Sequence, residues 1–206
     1  LLTVYSILWG DKYTVDYAQR LRLMVARNLC QPHRFVCITD QRVDGVECQK
    51  PVCDYHGWWQ KVSLFKPSFA NGLCMFLDLD VVVIDELDLL VKAYHRDKIA
   101  MARNWNLSGY RGWQSSFMLW NGEQCHEIWE RFDYEKDSKR LWGDQEFITE
   151  LLGEDVTEIE PGRIVSYKYH CQMGPPPGAR VVAFHGKPDP HEVADQWVRE
   201  SRSMQT

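Results

Sequence analysis

Leu73-Cys74-Met75-Phe76-Leu77-Asp78-Leu79-Asp80-Val81-Val82-Val83-Ile84 is the stretch on which the reading of the chain turns. Five apolar residues lead into an acidic pair and four more follow it. The run Leu73 to Leu77 has the character of a central parallel strand, covered on both faces. In extended backbone, residues two apart point to one side, so Asp78 and Asp80 are expected to converge while Leu79 faces the core. Two hard oxygen donors beside a strand end suit Mg²⁺ or Mn²⁺, ions that commonly share their shell with a substrate phosphate. Strand ends of open α/β sheets are also where ligands bind. The competing reading is a strand-end turn with solvent-facing acids, which the apolar setting disfavours because charge there is costly unless used.

Upstream, residues 3–9 form a β-rich run ending at Gly10-Asp11. A helical pattern follows over residues 15–29, with Tyr17, Leu21, Met24, Val25 and Leu29 on one face. Arg34 to Thr39 reads as a second strand ending at Asp40, completing a β-α-β unit. A short strand is expected near Val46–Cys48. Trp58, Val62, Phe65 and Phe69 recur at helical spacing, with Pro67 ending or kinking that helix. Downstream, strands are expected at 98–102, 114–120, 164–165 and 180–184. Helices are expected at 122–132, capped by Asn121, at 144–152, and from Pro190 through Val193 and Trp197. The charged stretch 133–140 separates two of them, and Gly174 to Gly178, with three prolines between, reads as a rigid loop. With no repeat or linker, the pattern predicts one α/β domain with a mostly parallel sheet flanked by helices.

The composition excludes several classes. The 206 residues are 45% hydrophobic and 26% charged, which rules out disorder, collagen and coiled coil for the whole chain. The net charge of −5 and the absence of a basic run argue against a general nucleic-acid binder. No apolar segment is long enough for a membrane span. Leu1-Leu2-Thr3-Val4 shows no secretory leader, and seven cysteines without a CxxC pair suggest a reducing compartment, so a cytoplasmic protein is expected. Cys48 and Cys53 are close enough to raise the question of a disulfide.

A second segment carries chemistry. Val181 to Phe184 delivers His185 at a strand end, followed by Gly186 and by Lys187, a residue suited to phosphate. Neutral imidazole can complete an Asp/Asp metal site. The alternative is a polar strand terminus with a surface lysine.

Taken in order along the chain, these elements resemble the nucleotide-sugar-dependent glycosyltransferases of GT-A type, in particular the glycogenin and lipopolysaccharide galactosyltransferase family (family 8). The resemblance spans roughly residues 3–190. It rests on Leu8-Trp9-Gly10-Asp11-Lys12-Tyr13, on Trp59 to Phe65 around Lys61, and on the Asp78-Leu79-Asp80 segment. It continues through Gln114 to Asn121, through Trp142-Gly143-Asp144-Gln145, and through His185-Gly186-Lys187-Pro188.

The resemblance implies a GT-A, Rossmann-like fold with a nucleotide-binding half over about 1–85 and an acceptor-side half over about 86–206. It implies Mn²⁺ or Mg²⁺ held by Asp78, Asp80 and His185, and a nucleotide-sugar donor, with uridine favoured. Leu8, Trp9, Gly10 and Tyr13 would line the nucleoside pocket, and Asp40 would contact base or ribose. Asp78, Gly186 and Lys187 would approach the ribose and diphosphate. Ser115 and Ser116 would approach the donor sugar, with Lys61 near sugar or phosphate and Asp144 and Gln145 beside the reacting carbon. It also points to retention of configuration.

Two departures stand out. His, Gly, Lys and Pro are contiguous where the family spaces them, and Ser115 stands where Asn is usual. Asp144 has a competing role as a helix N-cap. One of Trp58 and Trp59 is expected to face outward and line an acceptor groove. Trp105, Asn106, Tyr110 and Trp113 are further candidates for sugar faces. The acceptor, whether glycan, lipid-linked or protein, is not legible. A binding module that kept the core and lost transfer, or a Mg²⁺-dependent phosphohydrolase, are the alternatives.

Overall fold

In the computed structural model, which describes residues 1–105 and 111–204, strands and helices alternate through the first half as expected. Strand β1 (Leu2–Ile7) leads to helix α1 (Val15–Asn28), then β2 (His33–Ile38) and the short β3 (Glu47–Gln49). All five residues assigned to the buried face of α1 are buried. A 3-10 helical stretch, Gly57–Phe65, precedes β4 (Leu73–Leu77) and β5 (Val81–Val83). Helix α2 (Asp88–Ala93), β6 (Ala100–Arg103) and β7 (Trp113–Asn121) follow.

The chain continues through α3 (His126–Glu130), α4 (Tyr134–Arg140), α5 (Asp144–Leu152), β8 (Thr157–Glu158) and β9 (Ile164–Ser166). It ends with α6 (Tyr167–His170), β10 (Val181–Ala183) and α7 (Gln196–Ser201).

The main sheet has the order β3-β2-β1-β4-β7-β6-β8, and a smaller sheet has the order β5-β10-β9. In the main sheet every pairing is parallel except those of β7, which runs antiparallel to both β4 and β6. That reversal sets a strand start beside a strand end. The start of β7 lies beside the end of β4, so Ser115 and Ser116 are brought next to Asp78, whose N–H donates to the Ser116 carbonyl at 3.0 Å. Two apolar clusters cover the two faces of the main sheet. One is built on α1, β5 and β10, the other on Trp59, Phe65, Trp120 and Phe147.

Several elements differ from the sequence expectation. The segment after Gly57 is 3-10 rather than α-helical, so Trp58 points out while Trp59 is buried. The helix expected at 122–132 begins only at His126, because Cys125 takes a left-handed conformation ahead of it. Tyr134–Arg140 is helical despite lacking an apolar stripe. Asp133 caps α4 by accepting from the Lys136 N–H, and Arg140 pairs with Asp137 one turn back. Helix α5 starts where expected, but its N-cap is Gly143, so Asp144 does not cap it and turns inward instead. The terminal helix starts at Gln196, leaving Val193 outside it. The seven cysteines are all free thiols. Among the described residues, no helix is long and apolar enough to cross a membrane.

The far end of the β4–β7 pair is closed by the Gly122 N–H donating to the Gly72 carbonyl at 2.7 Å. A Cβ on Gly122 would lie 2.4 Å from the Ala70 carbonyl carbon and oxygen, both backbone atoms that have no rotamer to give. Gly122→Ala is therefore expected to destabilise the protein by about 1–3 kcal/mol, the usual cost of overpacking. Urea unfolding checks this, and an unchanged midpoint would show that the turn can move.

Candidate functional site

The Asp78-Leu79-Asp80 triplet lies at the C-terminal end of β4 but is not extended. The Val81 N–H donates back to the Asp78 carbonyl at 3.3 Å, so the acidic pair sits on a turn joining the two sheets. Leu79 is buried, as expected. The two carboxylates feel one another through this turn. Burial, and then the charge of Asp78, push the Asp80 carboxyl up to about 7, against the opposing pull of Tyr13, Lys12 and Lys61.

Lys61 forms the floor. It is only 9% exposed, and its ammonium donates to Asp78 Oδ2 at 2.9 Å and to Ser115 Oγ at 3.1 Å. Asp144 Oδ2 lies 3.8 Å from the same nitrogen, and the Asp144 side chain is 4% exposed. Burial works against the charged lysine, but Asp144 and Asp78 outweigh it and hold its pKa above the ordinary value. Burial raises the Asp144 carboxyl, with Lys61 and a hydrogen bond from Ser115 opposing. Asp144 Oδ2 nonetheless makes no hydrogen bond.

The second half of the site gathers around Tyr13. Its hydroxyl lies 2.8 Å from Asp80 Oδ2 and 3.1 Å from Asp189 Oδ1, while its ring stacks on Tyr17. Lys12 Nζ stands 4.0 Å from both carboxylates. Lys187 donates to Asp189 at 2.6 Å and to Glu192 at 2.7 Å. Asp189, absent from the sequence reading, is thus the residue that ties the C-terminal element to Asp80. Its signal was available, since it directly follows His185-Gly186-Lys187-Pro188 in a segment already singled out.

The other expected residues fall into three groups. Gln145 is half-buried at the start of α5, beside Asp144, and Ser116 is buried with its hydroxyl on Gln114 Oε1. Leu8 is buried in the core, so only its backbone faces the strand end, while Trp9 packs edge-on against His56 and Gly10 is exposed at φ +65°. Asp40 is exposed and lines a cavity of about 500 Å³ with the loop that follows it.

His185 keeps separate company. Its Nε2 is 2.6 Å from Ser166 Oγ, and its ring lies between Trp105 and Tyr169. Burial, with Lys168 and His170 adding to it, lowers its pKa and favours the neutral, ligating form. Gly186 takes φ +72°, with Lys168 Nζ close by. Among the described residues, no three His, Cys, Asp or Glu groups are arranged to hold a metal. Trp113 is buried with its indole N–H on the Gly153 carbonyl, so it offers no sugar face. Asn106 and Tyr110 lie outside the described residues.

Asp78 and Asp80 nevertheless fit a divalent cation. They are two hard oxygen donors at a strand end, and Asp80, 14% exposed and pushed towards neutrality, is short of positive charge.

The fold is of the GT-A type and resembles that of solved glycosyltransferases. The chain is similar over 98% of its length to an active-site mutant of LgtC, with a TM-score of 0.67, 13% identity and 94% of that chain covered. The galactosyltransferase LgtC in complex with donor and acceptor sugar analogs matches at a TM-score of 0.63 and 14% identity, over 92% of this chain and 89% of that one. The glycosyltransferase GlyE of Streptococcus pneumoniae matches at 0.75 and 14% identity over 99% of this chain, which spans 61% of GlyE. At these identities the likeness is one of fold. No family model matches the chain, and no curated protein matches it by sequence.

Two outcomes follow for the metal-free protein. Removing Lys61 leaves Asp144 and Asp78 without their cation, so Lys61→Met should cost about 3–5 kcal/mol at pH 8. Because a buried carboxylate is relieved by protonation, that loss should shrink as the pH falls, and Lys61→Met/Asp144→Asn should recover much of it. Asp80 has the opposite sign of effect. Its folded pKa of about 7 exceeds its ordinary 3.8, so ionising it opposes folding, not at all below pH 3.8 and fully above pH 7. In EDTA, Asp80→Asn should raise Tm at pH 8 and give progressively less towards pH 5. Equal gains at both pH values would contradict the shift.

Proposed function

We propose that the protein is a metal-dependent glycosyltransferase that moves a sugar from a nucleotide-sugar donor, with uridine as the base, to a hydroxyl acceptor with retention of configuration. The observation that supports this most is the joint presence of Lys61, Asp78, Ser115 and Asp144 in one buried polar cluster at the C-terminal end of β4, next to Asp80. A strand end with paired carboxylates and a buried lysine suits a diphosphate more than it suits a neutral ligand.

In this reading Asp78 and Asp80 hold the cation. A divalent ion held by Asp78 and Asp80 would supply positive charge for the departing diphosphate. Lys61, fixed by three partners, presents one positive charge to the same region without reorganising during the reaction. Lys187 is held by Asp189 and Glu192 and would exchange these carboxylates for phosphate oxygens. Asp144 and the neighbouring Gln145 lie on the other side of Lys61. There a carboxylate steadies a sugar that gains positive charge as the bond to the leaving group breaks. The turn after β1, from Trp9 to Tyr13, and the cavity beside Asp40 would take the nucleoside, making residues 1–85 the donor half and 86–206 the acceptor half.

His185 is the third ligand by resemblance. Its approach to the carboxylates would require release of Ser166, so its contribution is the part of this reading that depends on rearrangement.

The test is a donor panel. Release of nucleoside diphosphate from UDP-, GDP- and other nucleotide sugars should be restored by Mn²⁺ with a UDP-sugar and lost about 100-fold or more in Asp80→Ala. Silence with every donor, together with no Mn²⁺-dependent nucleotide binding, would overturn the assignment. Metal-dependent release of phosphate from simple monoesters would favour the hydrolase alternative.

A further inference from the structure

A second cavity, of about 280 Å³, opens between helix α2 and the chain that follows β8. Its apolar wall is made by Leu90 and Ala93 of α2, Ala100 of β6, Leu119 of β7 and Ile159. Ala100 and Leu119 face one another across the β6–β7 ladder, so the floor is the main sheet itself. Leu90, Ala100, Leu119 and Ile159 are buried, whereas Ala93 is exposed at the rim.

Arg180 closes one end of this cavity. It immediately precedes β10, whose antiparallel pairing with β5 sets Val181 opposite Val83 and Ala183 opposite Val81. Asp80 and His185 therefore lie at one end of that two-strand ladder and Arg180 at the other, so the cavity is separate from the cluster around Lys61. The Arg180 side chain is 9% exposed. Its Nη1 donates to the Glu86 carbonyl at 2.9 Å and lies 3.1 Å from Asp85 Oδ2. Its Nε–H, also buried, has no acceptor among the described residues. An unmatched buried donor costs about 1–3 kcal/mol, and this one belongs to a residue that lines a space with room for a ligand.

The charges around the cavity select the occupant. Glu160 is held by Arg163 through both of its oxygens, and Glu158 lies 3.5 Å from Arg103 Nε. Both acids are exposed, and Asp85 is 50% exposed, so solvent screens its hold on Arg180. What remains unused on Arg180 is a cationic donor. Bonds from a guanidinium to a carboxylate are among the strong ones, and the shapes of the two groups match. The apolar wall calls for a hydrocarbon body. The volume, just below the usual 300–1,000 Å³ of ligand pockets, restricts that body to a small one.

We propose that this cavity is a separate ligand site for a small monocarboxylate, its carboxylate accepting from Arg180 Nε and its apolar body lying on Leu90, Leu119 and Ile159. The site is independent of the glycosyl-transfer reading and shares no residue with it.

The experiment is calorimetric titration of the metal-free full chain with hexanoate and with phenylacetate, each compared with its uncharged amide, hexanamide or phenylacetamide. Arg180→Gln removes the guanidinium. Ala93→Phe fills the cavity from its exposed rim and leaves Arg180 in place. Lys187→Gln reports any carboxylate captured at the other end of the β5–β10 ladder. Thermal melts confirm that each variant is folded, and should Arg180→Gln fail to fold, Ala93→Phe and the amides decide.

The expected result is saturable millimolar binding of at least one carboxylate, as suits a ligand of so few atoms. Affinity should fall about tenfold or more in Arg180→Gln and in Ala93→Phe, the loss of one charge-assisted hydrogen bond or of the space itself. The matching amide should bind about fivefold more weakly or worse, and Lys187→Gln should bind as the parent chain does. No saturable binding of either carboxylate overturns the proposal. So does an amide that binds as well as its acid, which would leave an apolar pocket blind to charge. Parent-like affinity in Ala93→Phe, or loss of binding in Lys187→Gln, overturns it by placing the carboxylate elsewhere.

Discussion

The ammonium of Lys61 is the point on which the arrangement of the site depends. A lysine this buried is stable only where anions compensate it, and its partners arrive from separate parts of the chain: Asp78 from the end of β4, Ser115 from the start of β7 and Asp144 from the first turn of α5. The compensation is mutual, since Asp144 has no hydrogen bond at Oδ2 and relies on the same charge. One cation thereby fixes the spacing of Asp78, Ser115 and Asp144. It can do so because β7 runs against its neighbours, which puts a strand start and a strand end side by side.

Around that centre the charges form two layers. In the inner one Lys61 and Asp144 are nearly dry, while Asp78 is 27% exposed. The outer one joins two well-buried carboxylates, Asp80 and Asp189, through the Tyr13 hydroxyl and sets the exposed cations Lys12 and Lys187 around them. Burial, and then the neighbouring charge of Asp78, raise the pKa of Asp80. The surrounding structure tolerates the two acids because Tyr13 shares one hydroxyl between them.

Much of this was legible in the residues. The apolar run before Asp78 gave the central strand to the residue, and the 3.6-residue period of α1 gave its buried face, because both depend on local pattern alone. What the pattern could not show was set by backbone geometry and distant contacts. The acidic pair converges through a turn, not through the pleat of a strand. Gly57 to Phe65 wind as a 3-10 helix, and of the two indoles the pattern left open it is Trp58 that faces outward. Helix α4 has no apolar stripe and stands on its cap and ion pairs. Asp144 could be read as a cap because its chemistry suits one, and only the fold shows Gly143 in that place. The role of Asp189 needs the pairing of β10 with β5, which brings the C-terminal segment back to the first strand end.

That return has a kinetic meaning. Tyr13 and Asp189 meet across 176 positions of sequence, among the most distant contacts a chain of this length can make. Closing so large a loop costs entropy that is repaid only when both sheets are already in place. The outer layer of the site is therefore among the last features to form during folding. A chain with its main sheet assembled but its C-terminal segment undocked would hold Lys61 and Asp78 while lacking the partner that completes Tyr13. The outer layer thus reports on completion of the whole fold, while the inner layer needs only the central sheet and the docking of α5.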